Sequence, residues 1–439
     1  VHFGRYEKGA ELMIGDKERK FKGRCVFLGD NVKDEKFDYA VFEELGSAPP
    51  SIEAARAIDA VSLFPGYAAS QADAVSAYTQ SFLKGKKTWV HLPKERWPSW
   101  WNTLDYWDPV VPMYLALYGH PDSGGYWEEA CEKSILECGW TSVDGWRSTF
   151  WHQKEKALLV VYVDDFKMAA LMESMNKLWT ELKKKIKLGD VTAPDRFLGC
   201  YLKPFETKAS NLAVILGNKP ELYPRTKNKA ESMKAEPAPL STMKDYDPER
   251  IVRGYKYNME QYLEKNIAKY CEIAKLKESE LKRVDTPFID EAKDPQGCAD
   301  PALQPVIKKK KHAVISEEAE VDLSAVSAAE QGNFDAIPSG KMNTAACGVI
   351  MQTMYAARMA RRDLLRCVGR LATMLTKWTP LEDDKLLRMM SYIKTTKHYR
   401  ECGFIGDSPD KLFLGLYVDA DFAGDRLSLI HISEPTRQP

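Results

Sequence analysis

Two adjacent aspartates follow an apolar segment near the middle of the chain. The stretch ALLVVYVDDFKMAAL, residues 157–171, opens with seven apolar or aromatic residues and then places Asp164 beside Asp165. The apolar run is typical of a buried strand. Two neighbouring carboxylates repel each other, and they cost stability unless a cation or a reaction makes use of them. The segment therefore predicts a strand that ends in a functional acidic turn.

Such a turn suits metal-assisted nucleotidyl transfer. Nucleotide polymerisation requires a primer hydroxyl to attack an α-phosphorus while pyrophosphate leaves, and two Mg²⁺ ions held by carboxylates stabilise both oxygens. Another acid must then come from elsewhere in the chain, and Asp73 in SQADAVSAYTQSFLKG is the candidate, with Tyr78 shortly after it. Taken alone, these short patterns leave open an acidic surface turn and a core tyrosine.

Composition is that of an ordinary soluble protein with room for two or three domains. The 439 residues are 44% hydrophobic and 29% charged, and 63 Lys plus Arg balance 63 Asp plus Glu. A formal charge of zero leaves any phosphate binding to local basic faces. The nine cysteines include no C-x-x-C pair, which argues against a zinc site or a disulfide framework and favours a reducing compartment. Uncharged stretches are too short to span a bilayer.

Helix and strand patterns are interleaved, which predicts an α+β domain. STFW, HQKEK and ALLVVYV read as strand, loop and strand, as in an antiparallel hairpin. Thr379, Pro380 and Glu382 predict a capped helix start. Apolar residues at helical spacing predict four further helices, in YWEEACEKSILECG, LMESMNKLWTELKKKIKLG, NMEQYLEKNIAKYCEIAKL and RRDLLRCVGRLATML.

Two polar stretches interrupt these patterns. Residues 216–244 are polar and carry prolines, which predicts an exposed insertion. Residues 291–342 contain IKKKKH and then SEEAEVD, which predicts a disordered linker. The lysine run offers a contact for nucleic acid, whereas the composition favours a solvated linker.

Several segments, in order along the chain, resemble the reverse transcriptases of copia-type retrotransposons. VVYVDDFKMA resembles the catalytic Y-x-D-D box, and QADAVSAYTQSFLKG resembles the box with the first aspartate. The family's fingers strand is resembled by FKGRCVF, and its L-Y-G block by ALYG with Trp127. Its F-L-G-I segment is resembled by RFLGCYL. A downstream block of the family is matched by YNMEQYLEKNIAKYCE with VDTP. Its two connection helices are resembled by RDLLRCVGRLATML and LLRMMSYIKTTKH, and the opening of its ribonuclease H domain is resembled by LYVDADFAGD.

The resemblance implies a right-hand polymerase fold of α+β class, followed by an α/β connection region and a truncated ribonuclease H-like start. Its implied divisions are fingers and palm at 1–215, the insertion at 216–244, the thumb at 245–290, the linker at 291–342, the connection at 343–405 and the ribonuclease H start at 406–426. Residues 427–439, which include LSLIHISEPTR, look like a translated sequencing adaptor. We expect them to be an artefact tail, and the start at Val1 to be a point inside a longer reading frame.

The resemblance also implies roles for single residues. Two Mg²⁺ ions, with Mn²⁺ as a substitute, would be bound by Asp73, Asp164 and Asp165. Tyr78 would form the aromatic wall under the incoming sugar, where a 2′-hydroxyl would clash, and Lys22 and Arg24 would contact the triphosphate or the template phosphates. The primer end would lie near Phe197, Leu198 and Gly199. Asp419 matches the first acid of ribonuclease H. That hydrolysis needs several carboxylates around two metals, and no chain remains after the matching segment to supply the others, so we expect no ribonuclease H activity.

The implied partners are a template of RNA or DNA with its primer and deoxynucleoside triphosphates, with no membrane. Protease, integrase and Gag segments are expected in the parent polyprotein, and an active element would work in cytoplasmic virus-like particles. One departure keeps a second function open: Pro121 and Asp122 stand where the family has a Lys-Gln pair. An acid at this position favours a catalytically inactive transposon remnant that binds nucleic acid only. A generic α+β hydrolase is a third alternative, and it predicts no template dependence.

Overall fold

The computed structural model shows a mixed α/β protein with several antiparallel sheets. It describes residues 1–8, 20–40, 49–103, 106–216, 247–288, 339–407 and 409–412. The chain divides into two units, 1–406 and 407–439, and the second is described only at Asp407 and around a short 3₁₀ turn, Pro409–Lys411. Asp419, the adaptor-like tail and nearly all of the predicted insertion and linker lie outside the described residues.

The described strands pair in four antiparallel sheets. In chain order they are β1 (His2–Lys8), β2 (Lys20–Val26), β3 (Tyr67–Asp73), β4 (Trp89–His91), β5 (Val110–Pro112), β6 (Thr141–Ser142), β7 (Thr149–His152), β8 (Ala157–Tyr162), β9 (Asp165–Leu171), β10 (Arg196–Phe197), β11 (Cys200–Lys208), β12 (Ile251–Asn258) and β13 (Glu401–Ile405). The largest sheet has the order β3-β9-β8-β7-β6 and the next β10-β11-β12-β13. Two smaller sheets pair β1 with β2 and β4 with β5.

The helices confirm the helical patterns read from the sequence. They are α1 (Ile52–Ser62), α2 (Ser123–Glu137), α3 (Met172–Lys183), α4 (Ala209–Leu216), α5 (Glu260–Ala274), α6 (Ala346–Ala360), α7 (Leu365–Thr373) and α8 (Pro380–Thr396). Thr379 and Glu382 form the predicted capping box at the start of α8. None of the described helices is both long and apolar enough to cross a membrane.

The apolar run of β8 and the following strand is explained by burial on both faces of the large sheet. Leu158, Val160 and Ala169 belong to a core formed with α1, the four-stranded sheet and α5 to α8. The alternate residues, such as Leu159 and Phe166, belong to a second core with α2 and α3. The predicted hairpin of β7 and β8 is confirmed by their antiparallel pairing.

The four-stranded sheet joins segments that the family resemblance assigns to different subdomains. β11 lies in the predicted palm, β12 in the predicted thumb and β13 in the predicted connection, yet the three strands pair side by side. Residues 1–406 form one compact unit. The predicted palm, thumb and connection segments therefore each contribute a strand to one sheet.

Candidate active site at the acidic turn

The sheet register brings Asp73 next to the acidic turn. β3 and β9 pair antiparallel, with Asp73 opposite Asp165 at the end of the ladder. The backbone N–H of Ala74 then donates a 2.7 Å hydrogen bond to the carbonyl of Asp164. Directly opposite residues in an antiparallel pair have neighbouring side chains on one face. The upstream acid thus lies beside the acidic pair, as the sequence predicts.

The turn that carries Asp164 is tight and strained. Tyr162 pairs with Asp165, so Val163 and Asp164 alone connect β8 to β9. Val163 has a φ of 54°, a left-handed conformation that costs a β-branched residue about 1–3 kcal/mol. Strain of this kind persists only where the surrounding structure fixes it, and it clusters at functional sites.

Charge repulsion and burial act together on Asp165. Its pKa is raised from the ordinary value of 3.8 to about 6, first by burial and then by the negative charges of Asp164 and Asp73, while Arg196 opposes the shift. Asp73 is exposed, and the other two aspartates are half-buried. Asp164 and Asp73 therefore lie close enough to disfavour the charged form of Asp165.

The donor chemistry of these residues suits a divalent hard cation. Carboxylate oxygens are the ligands that Mg²⁺ prefers, and a cation would offset the repulsion that raises the pKa of Asp165. Over the described ranges, no three His, Cys, Asp or Glu side chains form a group already arranged around one metal position. The fit therefore rests on the strand register and the mutual repulsion of the three acids.

The pKa of Asp165 predicts a pH-dependent response to Mg²⁺. Because its folded-state pKa lies above the unfolded value, the stability that the protonated group contributes is lost as pH rises through about 6. The ionised carboxylate then needs a cation. We expect Mg²⁺ to raise the midpoint of thermal unfolding at about pH 7.5 and to have little effect at about pH 5. Asp165→Asn should respond equally at both values, and an equal response of the unchanged protein would contradict the assignment.

Trp127 supports the strained turn from α2. Its indole Nε1–H donates a 2.7 Å hydrogen bond to the Val163 carbonyl, and only 4% of the residue is exposed. The bond anchors the residue that precedes Asp164, so it restricts the direction in which the acidic side chain leaves the turn. Trp127 is a positioning residue for the acidic pair.

Trp127→Phe should reduce any metal-dependent activity of the turn by about tenfold, in addition to the roughly 1 kcal/mol of stability that one lost hydrogen bond costs. Trp140→Phe is the matched control, since Trp140 belongs to the same core and its Nε1 has no hydrogen-bond partner among the described residues. Urea unfolding and steady-state kinetics of both variants provide the comparison. Equal activity losses would show that packing alone matters at Trp127.

Tyr78 lies between the acidic turn and the predicted fingers strand. It is half-buried in a 3₁₀ turn, Ala77–Gln80, and its pKa is raised by burial first and then by the charge of Asp164. Its ring centroid lies 4.4 Å from that of Tyr118. The guanidinium carbon of Arg24 lies 5.7 Å from the same Tyr118 ring. Arg24 and Tyr78, both predicted nucleotide contacts, therefore lie near the same aromatic side chain.

Gly119 makes this arrangement possible. Its φ is 91°, and a Cβ there would collide with the carbonyl oxygen of Phe27. The Phe27 N–H donates a 2.7 Å hydrogen bond to the Tyr118 carbonyl. Only glycine allows the segment after β2 to approach this closely, which explains the glycine of the ALYG block. Lys22 lies in β2 opposite Tyr6, and its side chain is outside the part of the structure that is described.

The predicted primer-side segment is a two-residue turn between β10 and β11. Phe197 pairs with Cys200, and Leu198 and Gly199 both have positive φ, 48° and 73°. Phe197 is 3% exposed, so direct contact with a ligand falls to the two turn residues. The hydroxyl of Tyr355, from α6, donates to the Leu198 carbonyl and anchors the turn.

Two polar arrangements near the site have no counterpart among the sequence predictions. Gln80 donates hydrogen bonds to the carbonyls of Val75 and Lys187 at 2.9 and 3.1 Å, and it accepts one from the Lys187 N–H at 2.8 Å. These bonds link the loop after Asp73 to the segment at Lys187. Lys167, two residues after Asp165, is fully buried and paired with Asp59 of α1. A lone lysine in the apolar strand was the available signal for this pair.

Asp122, the departure from the family pattern, lies at the start of α2. It is the N-cap residue of α2, where a negative charge interacts favourably with the helix dipole. Its N–H donates a 3.2 Å hydrogen bond to Nδ1 of His120, a buried residue whose pKa is lowered by burial. The side chain itself makes no capping hydrogen bond, and its Oδ1 is buried without a partner among the described residues.

Comparison with known proteins adds no family assignment. A scan against protein-family models finds no match, and a search among curated proteins finds no significantly similar sequence. Function must therefore be argued from the residues and their arrangement.

Proposed function

We propose that the chain carries the polymerase site of a copia-type reverse transcriptase and adds deoxynucleotides to a primer paired with an RNA or DNA template. The observation that supports this most is the pairing of Asp73 with Asp165 across β3 and β9. Two sequence boxes with the expected acids, far apart along the chain, meet at one strand end. A right-hand polymerase fold is part of the proposal.

In this proposal two Mg²⁺ ions, when bound, stabilise the attacking and leaving oxygens of the displacement. Asp73, Asp164 and Asp165 hold the ions. Trp127 fixes the turn by its hydrogen bond to Val163. Tyr78, whose ring lies against Tyr118, forms the wall beside the sugar. Arg24, whose guanidinium also lies near Tyr118, contacts the triphosphate.

A primer-extension assay tests the proposal directly. We expect the full chain, supplied with Mg²⁺, a primed RNA or DNA template and deoxynucleoside triphosphates, to extend the primer in the order that the template dictates. Omission of Mg²⁺ or of the template should abolish the product. Phosphodiester hydrolysis that needs no template would instead support the generic hydrolase.

A remnant that binds nucleic acid without extending it is the second candidate. Asp122, in place of the family's glutamine, favours this candidate because an acid repels a triphosphate. Affinity for a primed duplex together with no incorporation would identify the remnant. Asp122→Gln separates the two cases further, since it should restore incorporation only if the acid is the remaining defect.

A further inference from the structure

A cluster of exposed aromatic residues lies between β4 and β5, away from the acidic turn in sequence. The stretch 84–108 holds five of the 11 tryptophans of the chain. The residues that we name the aromatic surface are Trp97, Trp100, Trp101, Tyr106 and Trp107. The exposed fraction is 57% for Trp100, 49% for Tyr106 and 94% for Trp107. Several exposed aromatic side chains within one short stretch are typical of an interaction surface, whereas single exposed aromatics are ordinary.

Trp101 organises the cluster. It is 6% exposed, and the rings of Trp100 and Tyr106 meet it at 88°, with centroids 5.9 and 6.3 Å away. In an edge-to-face pair, at least one face of the outer ring is not covered by its partner. Trp100 and Tyr106 therefore offer aromatic faces on a buried aromatic support, as base stacking requires, and the exposed Trp107 follows Tyr106 directly in the chain.

Two basic residues of the same stretch lie near aromatic rings. Nζ of Lys94 lies 5.8 Å from the ring centroid of Trp97, and the guanidinium of Arg96 lies 5.0 Å from that of Phe3. Of the acids that the structure describes in this stretch, Asp108 is paired with His91 at 2.9 Å, and Glu95 is exposed. Exposed aromatic rings interleaved with Lys and Arg suit a single strand of nucleic acid, because its bases can stack on the rings and its phosphates can contact the cations.

We infer that the aromatic surface binds single-stranded nucleic acid, with bases stacked on Trp100, Tyr106 and Trp107 and phosphates near Lys94 and Arg96. The inference rests on the proposed function, because a template-directed polymerase must guide an unpaired template strand. Stacking is tolerant of sequence and of the sugar. The surface should therefore accept RNA and DNA alike.

The test is the affinity of the full chain for 15-nucleotide oligo(dT) and oligo(U), measured by fluorescence anisotropy. We expect Trp100→Ala combined with Trp107→Ala to weaken binding of both strands by about tenfold or more, given the usual contribution of a stacked base. The matching Phe variants, which keep a ring, should stay within about threefold of the unchanged protein. Tyr39→Ala is the control, because Tyr39 is 70% exposed outside the cluster. Thermal unfolding of each variant checks the fold.

Three results would overturn the inference: no binding of either strand by the unchanged protein, equal affinity of the Ala variant, or loss of self-association in the Ala variant with unchanged affinity. The last would assign the surface to contact between copies of the chain. Primer extension separates this inference from the proposed function. If the protein extends primers but the Ala variant binds single strands as tightly as the unchanged protein, only the role of the aromatic surface is refuted. If binding depends on the rings but no primer is extended, only the proposed polymerase activity is refuted.

Discussion

Asp164→Asn should abolish primer extension while the protein stays folded. The substitution removes one negative oxygen from the acidic turn but keeps the shape of the side chain. Because even groups around metal ligands change activity by about 10- to 100-fold, loss of a ligand should cost at least about a hundredfold. Gel analysis of extended primers at saturating Mg²⁺ measures the effect.

The binding of primed template should survive in this variant, since the change removes a charge that repels phosphate. Asp144→Asn is the control, because Asp144 is an exposed aspartate on the turn between β6 and β7, and it should retain full activity. Normal extension by Asp164→Asn would remove this residue from the catalytic set. Asp73→Asn should behave like Asp164→Asn, given its position opposite Asp165.

Asp59→Ala should destabilise the protein more than any surface substitution. Lys167 and Asp59 are 0% and 3% exposed, and the Tyr257 hydroxyl donates a 3.0 Å hydrogen bond to the same carboxylate. Removal of one partner of a buried ion pair leaves an uncompensated charge and costs about 3–5 kcal/mol. Urea unfolding near neutral pH measures the loss.

The double variant Asp59→Leu with Lys167→Met distinguishes the cost of an unpaired charge from the loss of packing. Replacement of both partners by apolar residues is often neutral or stabilising, so most of the lost stability should return. Lys185→Met is the exposed control: Lys185 pairs with Glu137 at 2.8 Å, both about half-exposed, and such pairs contribute about 0–1 kcal/mol. A small effect of Asp59→Ala would show that Lys167 is stable in its neutral form.

The pH dependence of Asp59→Ala gives a second check on the same pair. Burial lowers the pKa of Lys167, and Asp59 opposes that shift. Without Asp59, the folded protein binds fewer protons than the unfolded chain at this site, so the free energy of unfolding should increase as pH rises. The double variant should show no such gain.

The amino-acid sequence by itself determined the features that depend on near neighbours. The apolar run before Asp164 predicts the hairpin strand, and the capping residues Thr379 and Glu382 predict the start of α8. These patterns are readable because burial periodicity and capping act within a few residues along the chain. The acidic turn is readable from the sequence because its two aspartates directly follow the apolar strand.

Only the tertiary structure decided which distant residues meet. The antiparallel register sets Asp73 opposite Asp165, and a slip of one residue would turn Asp73 to the other face. The burial of Lys167 depends on the packing of α1 against β9, which supplies Asp59. Strand β13 likewise joins β12 across a long stretch of chain. Such pairings follow from the whole core, since a strand's own pattern fixes which residues are buried but not which strand it will contact.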